Sequence, residues 1–107
     1  MSSSAAPRSS ANDPIALDPK HYTIEYEDDR MRVLRIRYGP REKSTMHSHP
    51  QSVAVVLTDA NIRMTYPDGK TEDMQLRPGA VLAMPGVEHL PENLSDRSFE
   101  VIQVELK

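Results

Sequence analysis

The chain contains no cysteine among its 107 residues. Disulfide staples, zinc–thiolate centres and thiol nucleophiles are therefore excluded, while the redox compartment stays open. Basic clusters are missing too: no more than two basic residues stand side by side, the formal net charge is −3 and the sequence pI is near 5.8. Nucleic acid is accordingly not expected as a partner. The longest uninterrupted aliphatic stretch, Val53 to Leu57, is far too short to cross a bilayer, and no apolar segment of the secretory kind opens the sequence. These absences predict a soluble, cytoplasmic protein without a membrane partner. A secreted form whose signal had been trimmed would read the same.

Helical periodicity is hard to find after residue 20, whereas strand-like runs are frequent. Residues 1–19 are rich in Ser, Ala, Pro and Asp without a hydrophobic period, and read as a mobile tail. That leaves residues 20–107 as one domain, a size at which only about 60–65% of the surface is buried on folding. Further burial between two copies would help, so a homodimer is expected. Tyr22 to Glu27 alternates and ends at Asp28-Asp29, a turn signal. Met31 to Tyr38 alternates in two phases, Met31 and Val33, then Leu34, Ile36 and Tyr38; the change predicts a β-bulge at 33–34. Lys43 to His49 and Ser52 to Thr58 follow, the latter expected to be buried on both faces. Pro67-Asp68-Gly69-Lys70 is a hairpin turn, and Pro78-Gly79 and Pro85-Gly86 turn the chain again. Ser98 to Leu106 closes the chain with Ile102, Val104 and Leu106 on one face. About eight or nine short, evenly spaced strands indicate an all-β barrel or sandwich.

What the chain does have is histidine in suggestive places. Only four occur, and His47 and His49 flank one residue in Met46-His47-Ser48-His49-Pro50. On a strand, side chains at i and i+2 share a face, roughly 7 Å apart along the chain, so both imidazoles can reach one ion. His89 follows the Pro85-Gly86 turn and would join them if its segment folds back across the same sheet.

These residues resemble a family, the cupins, in their small single-domain form. The cupin second motif matches Gly79, Pro85-Gly86, His89 and Asn93, with one residue fewer between proline and glycine. The first motif matches the pair His47 and His49, with Gly39 seven residues upstream rather than the usual five. Its glutamate is absent, since Val53 and Ala54 stand in its place, and Asp59-Ala60-Asn61 replaces its closing glycine. The resemblance spans about residues 22 to 106 and implies a double-stranded β-helix, or jelly-roll, barrel. It also implies a divalent metal held by His47, His49 and His89 without a carboxylate, the set found in iron-dependent diketone-cleaving and thiol dioxygenases. Three neutral ligands leave the full dipositive charge on the ion and up to three open positions in an octahedral shell, which suits an anionic chelating substrate.

Other residues carry a functional and an ordinary reading. Gln51 would supply a fourth ligand or anchor a bound water, or is simply a loop residue after Pro50. Met46, Met84 and Phe99 would line an apolar pocket, or merely fill core. Gln103 would reach the barrel interior and hydrogen-bond a ligand. Arg35 and Arg37 would bind a substrate carboxylate, or form a solvated face. Glu42 falls on the opposite face from His47, Glu88 points away from His89, Asn93 holds a turn, and His21 is a partnerless surface residue at the tail junction. The expected function is a mononuclear Fe(II) dioxygenase-like enzyme acting on a small chelating organic molecule. A metal-dependent isomerase, lyase or hydrolase using Zn, Mn or Ni, or a non-enzymatic ligand-binding module, fits the same residues. No general acid or base is identifiable.

Overall fold

Side-chain alternation along each strand decides which face turns inward, and the hydrogen-bonded register decides which residues then meet. The computed structural model describes residues 12–107. A short helix α1 (Pro14–Leu17) is followed by nine strands: β1 (Tyr22–Glu27), β2 (Met31–Tyr38), β3 (His47–His49), β4 (Ser52–Val56), β5 (Ala60–Thr65), β6 (Thr71–Leu76), β7 (Val81–Met84), β8 (Val87–Asn93) and β9 (Phe99–Leu106). They form two antiparallel sheets, one of five strands in the order β1-β2-β9-β4-β7 and one of four in the order β3-β8-β5-β6. This is the jelly-roll barrel that the cupin resemblance implied, and its core gathers Leu34, Ile36, Tyr38, Val56, Ile62, Phe99 and Val101.

The turns behave as their residues require. β5 and β6 are joined through Gly69 at φ 87°, a left-handed conformation that glycine adopts without steric cost. Asn93 is fully buried; its Nδ2 donates to the Gly39 and Arg97 carbonyls at 2.9 and 2.7 Å, and its Oδ1 accepts from the Ser95 amide at 3.0 Å. It therefore ties the loop before β3 to the turn after β8.

Four expectations are corrected. The tail does not extend through residue 19: Asp13 caps α1 by accepting from the Ile15 amide, and the Ser48 amide donates to the Asn12 carbonyl. The rest of the expected tail, residues 1–11, lies outside the described residues. The bulge falls in β1, where the register shifts between Ile24 and Tyr26, and not in β2, which pairs with β9 without interruption. β2 keeps one phase because Arg32, not an apolar residue, continues the inward set of Leu34, Ile36 and Tyr38. β4 is buried on one face only, with Ser52, Ala54 and Val56 inside and Val53 exposed, because among the described residues no second layer covers the outer face of its sheet. Finally, His21 is buried rather than at the surface. Its ring stacks on Tyr38 at 4.3 Å, and its nitrogens lie within 2.9 Å of Asp18 and Glu42.

Candidate metal centre

β3 and β8 pair antiparallel with His47 directly opposite His89. His49 lies two residues beyond His47 and so shares its face. The two remote segments thus deliver three imidazoles to one spot inside the barrel. All three are buried, and one nitrogen from each lies within 4.8 Å of the others. The ring centroids are 4.9, 4.9 and 5.2 Å apart, and the planes are nearly perpendicular in every pair, at 89°, 90° and 78°.

The decisive detail is what the outer nitrogens do. The Nε2 atoms of His47, His49 and His89 are buried and have no hydrogen-bond partner. Buried polar atoms are almost always satisfied, so three such orphans on clustered rings are suited to one shared partner. A divalent ion is such a partner. The Nδ1 atoms, by contrast, explain the tautomer. His47 Nδ1 donates to the Thr45 carbonyl at 2.9 Å, and His49 Nδ1 donates to Glu105 Oε2 at 2.6 Å. With the proton on Nδ1, each Nε2 keeps its lone pair free for metal. Burial pulls the His47 ring down from 6.5 to about 4 and the His89 ring to about 3, and the neighbouring His49 adds to both effects. Neutral rings are the form that ligates.

Glu105 was not anticipated as part of the site. Its phase on β9 is shared with Phe99, Val101 and Gln103, all turned inward. A carboxylate on that face needs a partner, and the inward Arg32 on the paired strand β2 supplies one: Nε donates to Glu105 Oε1 at 2.9 Å. The inward phases of both strands were the available signal. Glu42 lies in the loop ahead of β3, since only His47–His49 of the expected third run is a strand, and it is outside the three-histidine group. Contacts from Lys20, the Gly39 amide and His21 hold its carboxyl down, to about 2.

Beside the histidines lies a small apolar cavity of about 50 Å³. Met84, Phe99 and Gln103 line it together with Tyr22, Tyr38 and His89; Met46 does not. Gln103 is held by donating to Ser52 Oγ at 2.8 Å. The Tyr22 and Tyr38 hydroxyls are 2.7 Å apart, and burial pushes both phenols well above their ordinary range, so they stay protonated. No carboxylate lines the cavity among the described residues. Gln51 is a correction: it is exposed and edges a separate surface depression with Pro85, Gly86 and Leu106. The residue that braces a histidine is Glu105, whose inward position on β9 brings its carboxylate to His49 Nδ1. Arg35 pairs with Glu25 and Glu100 on the outer face, and the exposed Arg37 lies beside Glu100. They form the solvated face rather than a substrate clamp.

The same architecture occurs in solved structures. The chain is similar to a cupin domain from Bordetella pertussis Tohama I, with 30% identity over 80% of this chain and 91% of that one, at a TM-score of 0.75. This protein belongs to the cupin family. A double-stranded β-helix protein from Klebsiella pneumoniae aligns with this cupin at 20% identity, covering 79% and 74% of the two chains with a TM-score of 0.64. The polyketide cyclase RemF from Streptomyces resistomycificus aligns at 22% identity, covering 74% of this chain and 56% of that one with a TM-score of 0.55. These two likenesses speak for the fold alone. No protein-family model and no curated protein matches the chain. Among the described residues, no helix is long and apolar enough to cross a membrane.

Proposed function

We propose that this cupin is a mononuclear Fe(II) dioxygenase-like enzyme acting on a small organic molecule that chelates through two oxygens. The observation that carries the reading is the conjunction of three buried, unpartnered imidazole nitrogens with an adjoining cavity that has no carboxylate on its wall. His47, His49 and His89 would hold the ion. An iron held there supplies redox chemistry with dioxygen and the positive charge that draws a chelating anion. The protein's own residues do the rest. The apolar wall excludes bulk water and favours a small, largely hydrocarbon body. Gln103, fixed by Ser52, and the Tyr22–Tyr38 hydroxyl pair are the polar groups available to orient it. A wall without a carboxylate offers no evident base for proton abstraction, which favours chemistry drawn from the metal over metal-assisted isomerisation or hydrolysis.

The test is oxygen uptake by iron-loaded protein, reconstituted without air, across 1,3-dicarbonyl, thiol and enediol compounds. Uptake that depends on substrate and exceeds that of free iron is expected. No turnover above free iron across the panel, or turnover that proceeds equally well without oxygen, would sink the reading.

A further inference from the structure

Helix α1 is only one turn long, yet each of its capping aspartates begins a hydrogen-bonded chain that ends on a different metal-site histidine. At its N-cap, Asp13 takes a two-pronged contact from Arg32, with both Nη–Oδ distances 2.9 Å. Arg32 passes to Glu105 Oε1 through Nε at 2.9 Å, and Glu105 Oε2 accepts from His49 Nδ1 at 2.6 Å. At its C-cap, Asp18 accepts from the Ser44 hydroxyl at 2.5 Å. That bond uses the only Ser44 proton, so the Ser44 oxygen turns a lone pair to His47 Nδ1 at 3.3 Å. The N–H of His47 is then shared between Ser44 and the Thr45 carbonyl.

Both chains are buried along most of their length: the Arg32, Ser44, Asp18 and Glu105 residues are all closed off from solvent. Charge-assisted hydrogen bonds of this kind are stronger than neutral ones and fix geometry, above all where arginine bridges two carboxylates. Groups that orient a ligating imidazole commonly affect metal affinity about 10–100-fold. We propose that the capped turn from Asp13 to Asp18 is a positioning element of the metal centre, its two aspartates holding His49 and His47 in the tautomer and orientation that aim both Nε2 lone pairs at one ion. The proposal rests on the metal-binding reading of the three histidines.

Cobalt(II) serves as the probe, and neither measurement depends on turnover. Its affinity, by chelator competition, and its visible absorption are measured on full-length wild type, Asp13→Asn, Ser44→Ala and Asp73→Asn. Asparagine at 13 retains an oxygen to cap the Ile15 amide while withdrawing the charge from Arg32. Asp73→Asn breaks an exposed pair with Arg63 on β5 and serves as control. Affinity is expected to fall about tenfold in D13N and in S44A, with a shifted absorption band, and to stay unchanged in D73N. Adding D13N to Glu105→Gln should cost less than D13N alone, because one chain carries both effects. Wild-type affinity and spectrum in both folded variants would overturn the proposal while leaving the metal site intact. A wild type that binds no cobalt would overturn both together. Should D13N fail to fold, Arg32→Lys takes its place: lysine keeps the charge but cannot fork between two carboxylates, and an unchanged centre in that variant would overturn the proposal equally.

Discussion

At the scale of single residues, the three histidines are interchangeable in chemistry but not in support. His89 sits opposite His47 across β3 and β8 and closes the triad from the remote strand. His89→Ala should abolish stoichiometric metal, read by elemental analysis of freshly prepared protein, while far-ultraviolet circular dichroism keeps its β signature. Retained stoichiometric metal would contradict the site. The lowered values of His47 and His89, about 4 and 3 against an ordinary 6.5, also make a pH prediction for the metal-free protein. Below about 6.5 the unfolded chain takes up protons that the folded chain refuses. Stability is therefore complete above that pH and falls as pH drops toward 4 and 3. Urea midpoints between pH 7 and 5 should fall in wild type and fall less steeply in His89→Ala. Parallel profiles would show that His89 is not buried in its neutral form. Glu105 illustrates a residue whose role was hidden. Its inward phase was readable, but the roles of His49 and Arg32 as its partners depend on contacts 56 and 73 positions away in sequence.

At the scale of elements, most strands were legible because alternation and turn residues are local. β5, β6 and the turn through Gly69 fell where proline and glycine placed them. The misreadings of the strands share one cause: a residue's phase depends on its partner strand. The phase change read in Met31 to Tyr38 vanished once Arg32 was neutralised inside, and the bulge appeared in β1. The tail-like composition concealed α1, which is held by Asp13 meeting Arg32 and by Pro14 and Ile15 packing inward. Asn93 is the element-scale counterpart of the metal site, a motif residue with a purely structural task. Asn93→Ala removes the Nδ2 donor shared by the Gly39 and Arg97 carbonyls, which keep only the Glu42 amide and the Ser95 hydroxyl, and it takes away the acceptor of the Ser95 amide. It should cost about 1–3 kcal/mol in chemical denaturation, with cobalt still bound. A change below about 0.5 kcal/mol would mean that water replaces the amide.

At the scale of the whole molecule, the register lines up an apolar row across the outer face of the five-stranded sheet. Tyr26 pairs with Val33, Val33 with Val104, Val104 with Val53, and Val53 with Ala83. Tyr26 and Val53 are exposed, at 54% and 37%. A chain of this size buries modest surface by itself, and the homodimer proposed from its length would cover this row. Sedimentation velocity is expected to show a dimer in wild type and a monomer in Val53→Glu, with both folded. A wild type that stays monomeric at high concentration would remove the dimer.

The three candidate ligands, His47, His49 and His89, were legible in the sequence alone. A His-x-His on a strand and a histidine set behind a Pro-Gly turn are short-range patterns whose geometry follows from backbone stereochemistry. Only the tertiary structure decided that the nitrogens converge within 4.8 Å, that their outer atoms stay unpartnered, and that Glu105 and the aspartates of α1 brace them. Those facts depend on strand register and on charges neutralised across the fold, and no local pattern encodes a pairing between residues that meet only after the chain has closed.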